Sequence, residues 1–367
     1  MIQLFKVGCN VDGALENLKA VLSSGYVGQG KFCDQFERDV AAMLGHQRLL
    51  YLNSCTSSIQ LALHLAGAGP GTEVVSTPVT CLATNSSIVA NGAKIVWADV
   101  DKRTGNLDLN DAARKVTHRT RAIIGVDWGG RLVRFDELRK KVRGVTLIED
   151  AAHAFGSIGA NDSRGDMICY SFQAIKLLNT ADGGALVTPS AALHERAKLL
   201  RWFGLDRTRS DAMRCYQPVS EVGWKFQGND VLASIGCANL SLVKESLYLH
   251  QKNAAWYYDA LSLVPYIRLP EPDPASSWWL YTIQVSNPAA FETFMAAQGV
   301  MVSPAHARND LYECFRAFRS TELQGVDEFA GHQVNIPVGW WLTDSERDAV
   351  VAAVRLWSAQ PEARWEA

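Results

Sequence analysis

The chain has no surplus of either charge. Its 367 residues carry 36 Lys and Arg against 38 Asp and Glu, a net charge of −2. No basic face is on offer to nucleic acid and no polybasic anchor to an anionic membrane. No stretch approaches the roughly 20 apolar residues that span a bilayer. The opening, MIQLFKVGCNVDG, has no apolar core of signal-peptide length. Paired cysteines are missing as well. The eight present (Cys9, Cys33, Cys55, Cys81, Cys169, Cys215, Cys237 and Cys314) are scattered without a CxxC spacing. That argues against a zinc ribbon or a thioredoxin-type site, and no metal is expected. Scattered thiols without a leader suggest a reducing cytosol, with cysteine as a small apolar filler, and a cytoplasmic location is expected. Internal repeats and low-complexity tracts are absent too.

What is present is ordinary for a globular protein, 48% hydrophobic and 20% charged. The length exceeds one small core. Short β-type runs alternate with helical ones through the first two thirds: RLLYLN (48–53), TEVVST (72–77), AKIVWADV (93–100), TRAIIGVD (120–127), VTLIEDAA (145–152), DMICYSF (166–172) and GGALVTP (183–189). Several are continuously apolar, as strands buried on both faces should be. The alternation predicts an α/β fold with a mostly parallel, helix-covered sheet over residues 1–240. The pattern changes near residue 240. A helical stretch from about 229 to 261, strands in SWWLYTIQVS, MVSPAH and HQVNIPV, and a last helix opened by Thr343-Asp344-Ser345-Glu346 predict a smaller α+β domain over 241–367.

Parallel sheets place ligands at the C-terminal ends of their strands. Three such places carry chemistry. After LLYLN, the run Ser54-Cys55-Thr56-Ser57-Ser58 opens a helix, and reads either as plain capping or as a phosphate cradle. After VTLIE, Asp150 is a capping acid, a metal ligand or the partner of a ring nitrogen, and His153 a core histidine or a site residue. After DMICY come Ser171 and then Lys176, either a turn lysine or a poorly solvated amine able to form an imine. Together they are the parts that pyridoxal phosphate requires: an anion cradle, an acid for the pyridine nitrogen and a Schiff-base lysine.

The stretch SFQAIKLLNTADGG resembles the SFxxxKxxTTGEGG motif of the pyridoxal-phosphate-dependent sugar aminotransferases of the DegT/StrS type, in the aspartate aminotransferase (fold type I) superfamily. The resemblance runs through SGYVGQGKFCDQFERDVAAMLG, LNSCTSSIQLAL, ADVDKRTGNLD, VDWGGR, IEDAAHAFGS, HARND and IPVGWWLTDSERD, almost the whole chain. It implies that Lys176 is the Schiff-base lysine and that Asp150 pairs with the pyridine nitrogen. It places His153 at the ring's phenolic oxygen and Thr56, Ser57 and Ser171 at the cofactor phosphate. It also implies a homodimer with shared active sites. The sequence departs from the pattern at Cys55, where the family has glycine, and at Asp182, where it has glutamate. Cys81 stands in place of the aromatic that stacks on the cofactor, and Lys225, in GWKFQGND, in place of a phosphate-binding asparagine.

The implied reaction moves an amino group, from glutamate, to the keto carbon of a nucleotide-linked 6-deoxy keto sugar at C4, as in amino-sugar and polysaccharide or O-antigen biosynthesis. Arg201, Arg207, Lys225, His306 and Arg308 are the candidates for holding the substrate diphosphate. Two other readings stay open: the same chemistry on a keto-cyclitol, and a non-catalytic cofactor-binding sensor. A sugar dehydratase is disfavoured, since resembling dehydratases carry histidine where this chain has Lys176.

Overall fold

The computed structural model describes residues 1–159, 163–209, 213–319 and 322–365. Among these residues a seven-stranded sheet forms the centre: β1 (Leu49–Leu52), β2 (Glu73–Ser76), β3 (Lys94–Trp97), β4 (Thr120–Val126), β5 (Thr146–Asp150), β6 (Met167–Ser171) and β7 (Gly184–Val187). They stand in the order β1-β7-β6-β5-β4-β2-β3. Strands β2 to β6 pair parallel, and β7 enters antiparallel between β1 and β6. The helices that connect and cover them are α1 (Val11–Ser23), α2 (Lys31–Leu44), α3 (Cys55–Leu65), α4 (Leu82–Ala90), α5 (Leu109–Arg114), α6 (Phe135–Lys141), α7 (Ala191–Leu200) and α8 (Asp230–Asn239).

The continuous apolar runs are explained by two cores, one on each face of the sheet. Leu50, Leu52, Ile148, Cys169 and Leu186 pack with Ile59 and Leu63 of α3. Their neighbours Leu49, Tyr51, Ile168 and Tyr170 pack with Phe36 and Val40 of α2. The same two-residue period sends the adjacent acids of β5 to opposite sides. Glu149 is ion-paired with Arg164, and Asp150 points the other way, to Thr84.

A third core gathers Tyr257, Leu261, Phe291, Met295, Val350, Val354 and Trp357. It is built from α9 (Val243–Leu261), α10 (Pro288–Ala297), α12 (Asp344–Ser358) and the antiparallel pair β8 (Tyr281–Gln284) and β9 (Gln333–Ile336), while α11 (Gln324–His332) leads into β9. The expected capping box at Thr343 and Glu346 opens α12.

Three elements differ from the sequence reading. The stretch 229–261 is not one helix, because a 3-10 turn at Leu240–Leu242 separates α8 from α9. Asn239 is drawn inward there. It donates to the Asn179 carbonyl at 2.9 Å and accepts from the Asn10 N–H at 2.9 Å, and the chain turns as α8 packs on α1 and α2. The expected strand MVSPAH makes only a bridge from Ser303 to Asn335. Pro304 has no N–H for a ladder, and Ala305 stands at φ 64°. In SWWLYTIQVS pairing starts only at Tyr281, since Trp278 at φ 50° breaks the extended run.

Candidate active site

Strand ends and helix starts converge at one edge of the sheet. Ser54 caps α3: its Oγ accepts from the Ser57 N–H at 3.1 Å. Ser57 Oγ donates to Asn53 Oδ1 at 2.7 Å, and Ser58 Oγ to the Ser54 carbonyl. Capping is therefore part of what this hydroxyl run does. The first-turn amides of Cys55 and Thr56 remain at the helix end, and Thr56 is exposed. Gly184 sits between Leu52 and Ser171 in the sheet. A Cβ there would strike the backbone of Ser54 and Cys55, so glycine is what lets the start of α3 close on β7.

Asp150 ends β5, buried. Its Oδ2 accepts from the Thr84 hydroxyl at 2.7 Å and its Oδ1 from the Ala152 N–H at 3.2 Å. Burial raises its carboxyl above the ordinary value, and these two donors and Lys176 oppose the rise. No Lys or Arg forms an ion pair with it among the described residues. Lys176 follows β6. Burial pushes its amine down to about 8, against the pull of Cys55, Asp150 and Cys81. Nζ lies 3.4 Å from the ring centroid of Trp279.

His153 is held from two sides. Gly129, in the turn after β4, donates to its Nδ1 at 3.4 Å, which leaves the proton on Nε2. The turn's next residue, Gly130 (φ 103°), faces Ser277 too closely to admit a Cβ, and Ser277 Oγ in turn donates to the His153 carbonyl at 2.9 Å. The His153 ring lies 4.2 Å from Trp279 and 5.6 Å, nearly parallel, from His306. Trp128 stands edge-on to both imidazoles. Burial, with Lys176 nearby, pushes His153 well down and His306 to about 4, so both are neutral at pH 7. Nε2 of His306 is buried with no partner among the described residues. His306 is fixed by the segment that follows it: Asn309 donates to the Thr80 carbonyl and accepts from Asn85, joining HARND to the loop ahead of α4.

The structure thus brings Asp150, His153, His306, Cys55 and Cys81 within electrostatic reach of Lys176. Cys81 is exposed at the N-cap of α4 and makes no side-chain cap. Ser171 is buried, and its Oγ accepts from Gln173 at 3.4 Å. The backbone of Lys225 accepts from Asn53, beside the start of α3, but its amine rests 4.6 Å from the Trp202 ring. Arg207 lies over the same ring and bonds Gln29 and Tyr26. Arg201 is buried against Glu37 and the Tyr51 carbonyl, and Arg308 is paired with Asp310 and Asp327. Lys176 also walls a cavity of about 350 Å³ with Gly8, Asn179, Glu245 and Trp340. Besides Lys176 that cavity has no cationic wall among the described residues.

Sequence reasoning missed Thr84 and Trp279. Thr84 is one of several hydroxyls in TPVTCLATNSS, and only the fold selects it for Asp150. Trp279 lies beside Trp278 in SSWWLY, and nothing in the pair says which ring turns toward Lys176.

Comparison with known proteins gives one consistent result. A model described as the DegT/DnrJ/EryC1/StrS aminotransferase family matches residues 9–355. The crystal structure of AtS13 from Actinomadura melliaura is 42% identical, with TM-score 0.91 over 97% of this chain and 98% of that one. The sugar aminotransferase CalS13 from Micromonospora echinospora is 36% identical, with TM-score 0.92 over 97% and 100%. A dTDP-4-dehydro-2,3,6-trideoxy-D-glucose 4-aminotransferase from Saccharopolyspora spinosa is 31% identical, with 74% of this chain and 75% of that protein covered.

Proposed function

Because the chain belongs to the DegT/DnrJ/EryC1/StrS aminotransferase family, we propose that it carries pyridoxal phosphate and transfers an amino group from glutamate to a nucleotide-linked keto sugar. The observation that carries this reading is the convergence of a buried acid, Asp150, and a desolvated, half-buried lysine, Lys176, at adjacent strand ends. The residues fit the cofactor. Asp150 is a desolvated carboxyl with two hydrogen-bond donors and no ion-pair partner among the described residues, and a protonated ring nitrogen supplies the missing positive charge. Pyridoxal phosphate, when bound, supplies the electron sink that lets an amino group leave one carbon and join another.

The chain's own groups do the rest. Asp150, held by Thr84 and Ala152, keeps the ring nitrogen protonated. Lys176, titrating near 8, takes a proton from one carbon and returns it to another near neutral pH. His153 offers Nε2–H to the ring oxygen. Thr56, Ser57, Ser171 and the first amides of α3 would receive the phosphate, with Lys225 at its edge, and Cys81 stands where the family's ring-stacking aromatic would lie. The buried, unpartnered Nε2 of half-buried His306 suits a substrate hydroxyl or phosphate. Arg207 and Lys225 lie nearer the surface as the remaining cationic candidates, whereas Arg201 is committed to Glu37 and Arg308 to Asp310 and Asp327. The 4-aminotransferase relative supports C4 as the aminated carbon and a nucleotide-linked substrate. A homodimer fits the apolar stripe Val11, Leu15 and Leu22, exposed on α1.

The test loads the purified chain with pyridoxal phosphate and reduces it with borohydride, and peptide mass then locates the added group. It is expected on Lys176. Incubation with glutamate and a panel of nucleotide-linked keto sugars is expected to yield an amino sugar by mass. Lys176→Ala lowers that yield by at least about 10²-fold. Cofactor fixed elsewhere, or an undiminished Lys176→Ala rate, defeats the reading.

A further inference from the structure

Two consecutive tryptophans part company at the site. Trp278, at φ 50°, joins the third core, with Tyr257 and Trp357, and Trp279 joins the first, under the lysine. Bonds between side chains and backbone hold that twist. Ser276 Oγ accepts from the Trp278 N–H at 3.1 Å, Trp278 Nε1 donates to the Asp273 carbonyl at 3.0 Å, and His250 Nδ1 meets the Trp278 carbonyl at 2.8 Å. Trp279 itself is 5% exposed. Its Nε1 donates to the carbonyl of Ile175, the residue just before Lys176, at 3.0 Å. Its ring is stacked 5.1 Å from Phe5 and lies 4.2 Å from His153. One hydrogen bond thus ties the ring to the backbone beside the lysine, and Nζ rests 3.4 Å from the ring centroid.

The other groups facing Lys176 do not compete for this position. Asp150 lies at the end of β5, Cys55 at the start of α3, Cys81 at the N-cap of α4, and His153 and His306 on their loops. None forms an ion pair with Nζ among the described residues.

We propose that Trp279 is a positioning residue whose ring face is the resting place of the Lys176 amine whenever that amine is not covalently engaged. This deepens the aminotransferase reading and rests on it. A ring face attracts the ammonium but not the neutral amine. It therefore holds the charged lysine inside the site and releases it on deprotonation, with no hydrogen bond to break.

The test uses the cofactor-free chain, so it stands apart from whether pyridoxal phosphate binds. Lys176 is methylated with formaldehyde and cyanoborohydride across a pH series and quantified by peptide mass. Half-labelling is expected near 8 in the parent chain. Trp279→Leu removes the ring and is expected to lower that midpoint by about half a pH unit to one and a half. Trp279→Phe keeps a ring face and is expected to restore most of the shift, which a merely structural role does not explain. If Trp279→Leu does not fold by circular dichroism, Trp279→Met, longer and able to fill an irregular gap, takes its place. A midpoint unmoved or raised without the ring, or a Phe variant no better than Leu, overturns the proposal. Failure of borohydride to fix pyridoxal phosphate on Lys176 defeats the functional reading and leaves the measured midpoint intact.

Discussion

At the scale of the residue, the cofactor role proposed for Asp150 works against the stability of the cofactor-free chain. Burial raises its pKa in the folded chain, so its contribution to stability is full below the unfolded carboxylate value and is lost as pH rises through the raised one. The cofactor-free chain therefore bears the loss at neutral pH. Asp150→Asn removes it, and the Thr84 hydroxyl can turn to accept from the new amide. The cofactor-free variant is expected to melt about 1 to 3 °C higher than the parent at pH 8. The gain should shrink toward pH 4, while cofactor binding is lost. Thermal melts at the two pH values check this, and a gain that grows toward acid contradicts it. The sequence placed Asp150 and Lys176 at strand ends correctly. It did not show Thr84 or Trp279, because the choice among neighbouring hydroxyls or neighbouring rings depends on contacts distant in the chain.

At the scale of the element, the start of α3 depends on its fit to β7. Gly184→Ala forces a Cβ into the backbone of Ser54 and Cys55, and is expected to cost about 2 to 3 kcal/mol in denaturant unfolding and to weaken phosphate binding. Gly69→Ala is the control. Its Cβ meets only the Asn91 carbonyl, at 3.7 Å, and stability should change by less than about 1 kcal/mol. Ser54→Ala removes the cap and costs about 1 kcal/mol. Strand positions in the main sheet were legible because doubly buried strands are apolar throughout. The break between α8 and α9 was not, because Leu240-Ser241-Leu242 contains neither Gly nor Pro, and the turn comes from the partners of Asn239.

At the scale of the whole molecule, α1 turns one side to α8 and leaves Val11, Leu15 and Leu22 exposed. Light scattering is expected to give twice the chain mass. The double change Leu15→Glu and Leu22→Glu should halve it and reduce transfer activity if sites are shared. A parent at single-chain mass argues against the dimer. None of the described helices is long and apolar enough to cross a membrane, as the lack of long apolar runs predicted.

The sequence by itself determined the α/β class, the order of the strands along the chain, and the hydroxyl, acid and lysine that follow three of them. Those features are local: burial on both faces writes itself as an apolar run, and a ligand-binding edge follows each strand's end. Only the tertiary structure decided that β7 runs backward between β1 and β6, that Arg201 is spent on Glu37, and that Trp279 rather than Trp278 lies under Lys176. Each of these is settled by partners far away in sequence, where no local period or spacing can record the outcome.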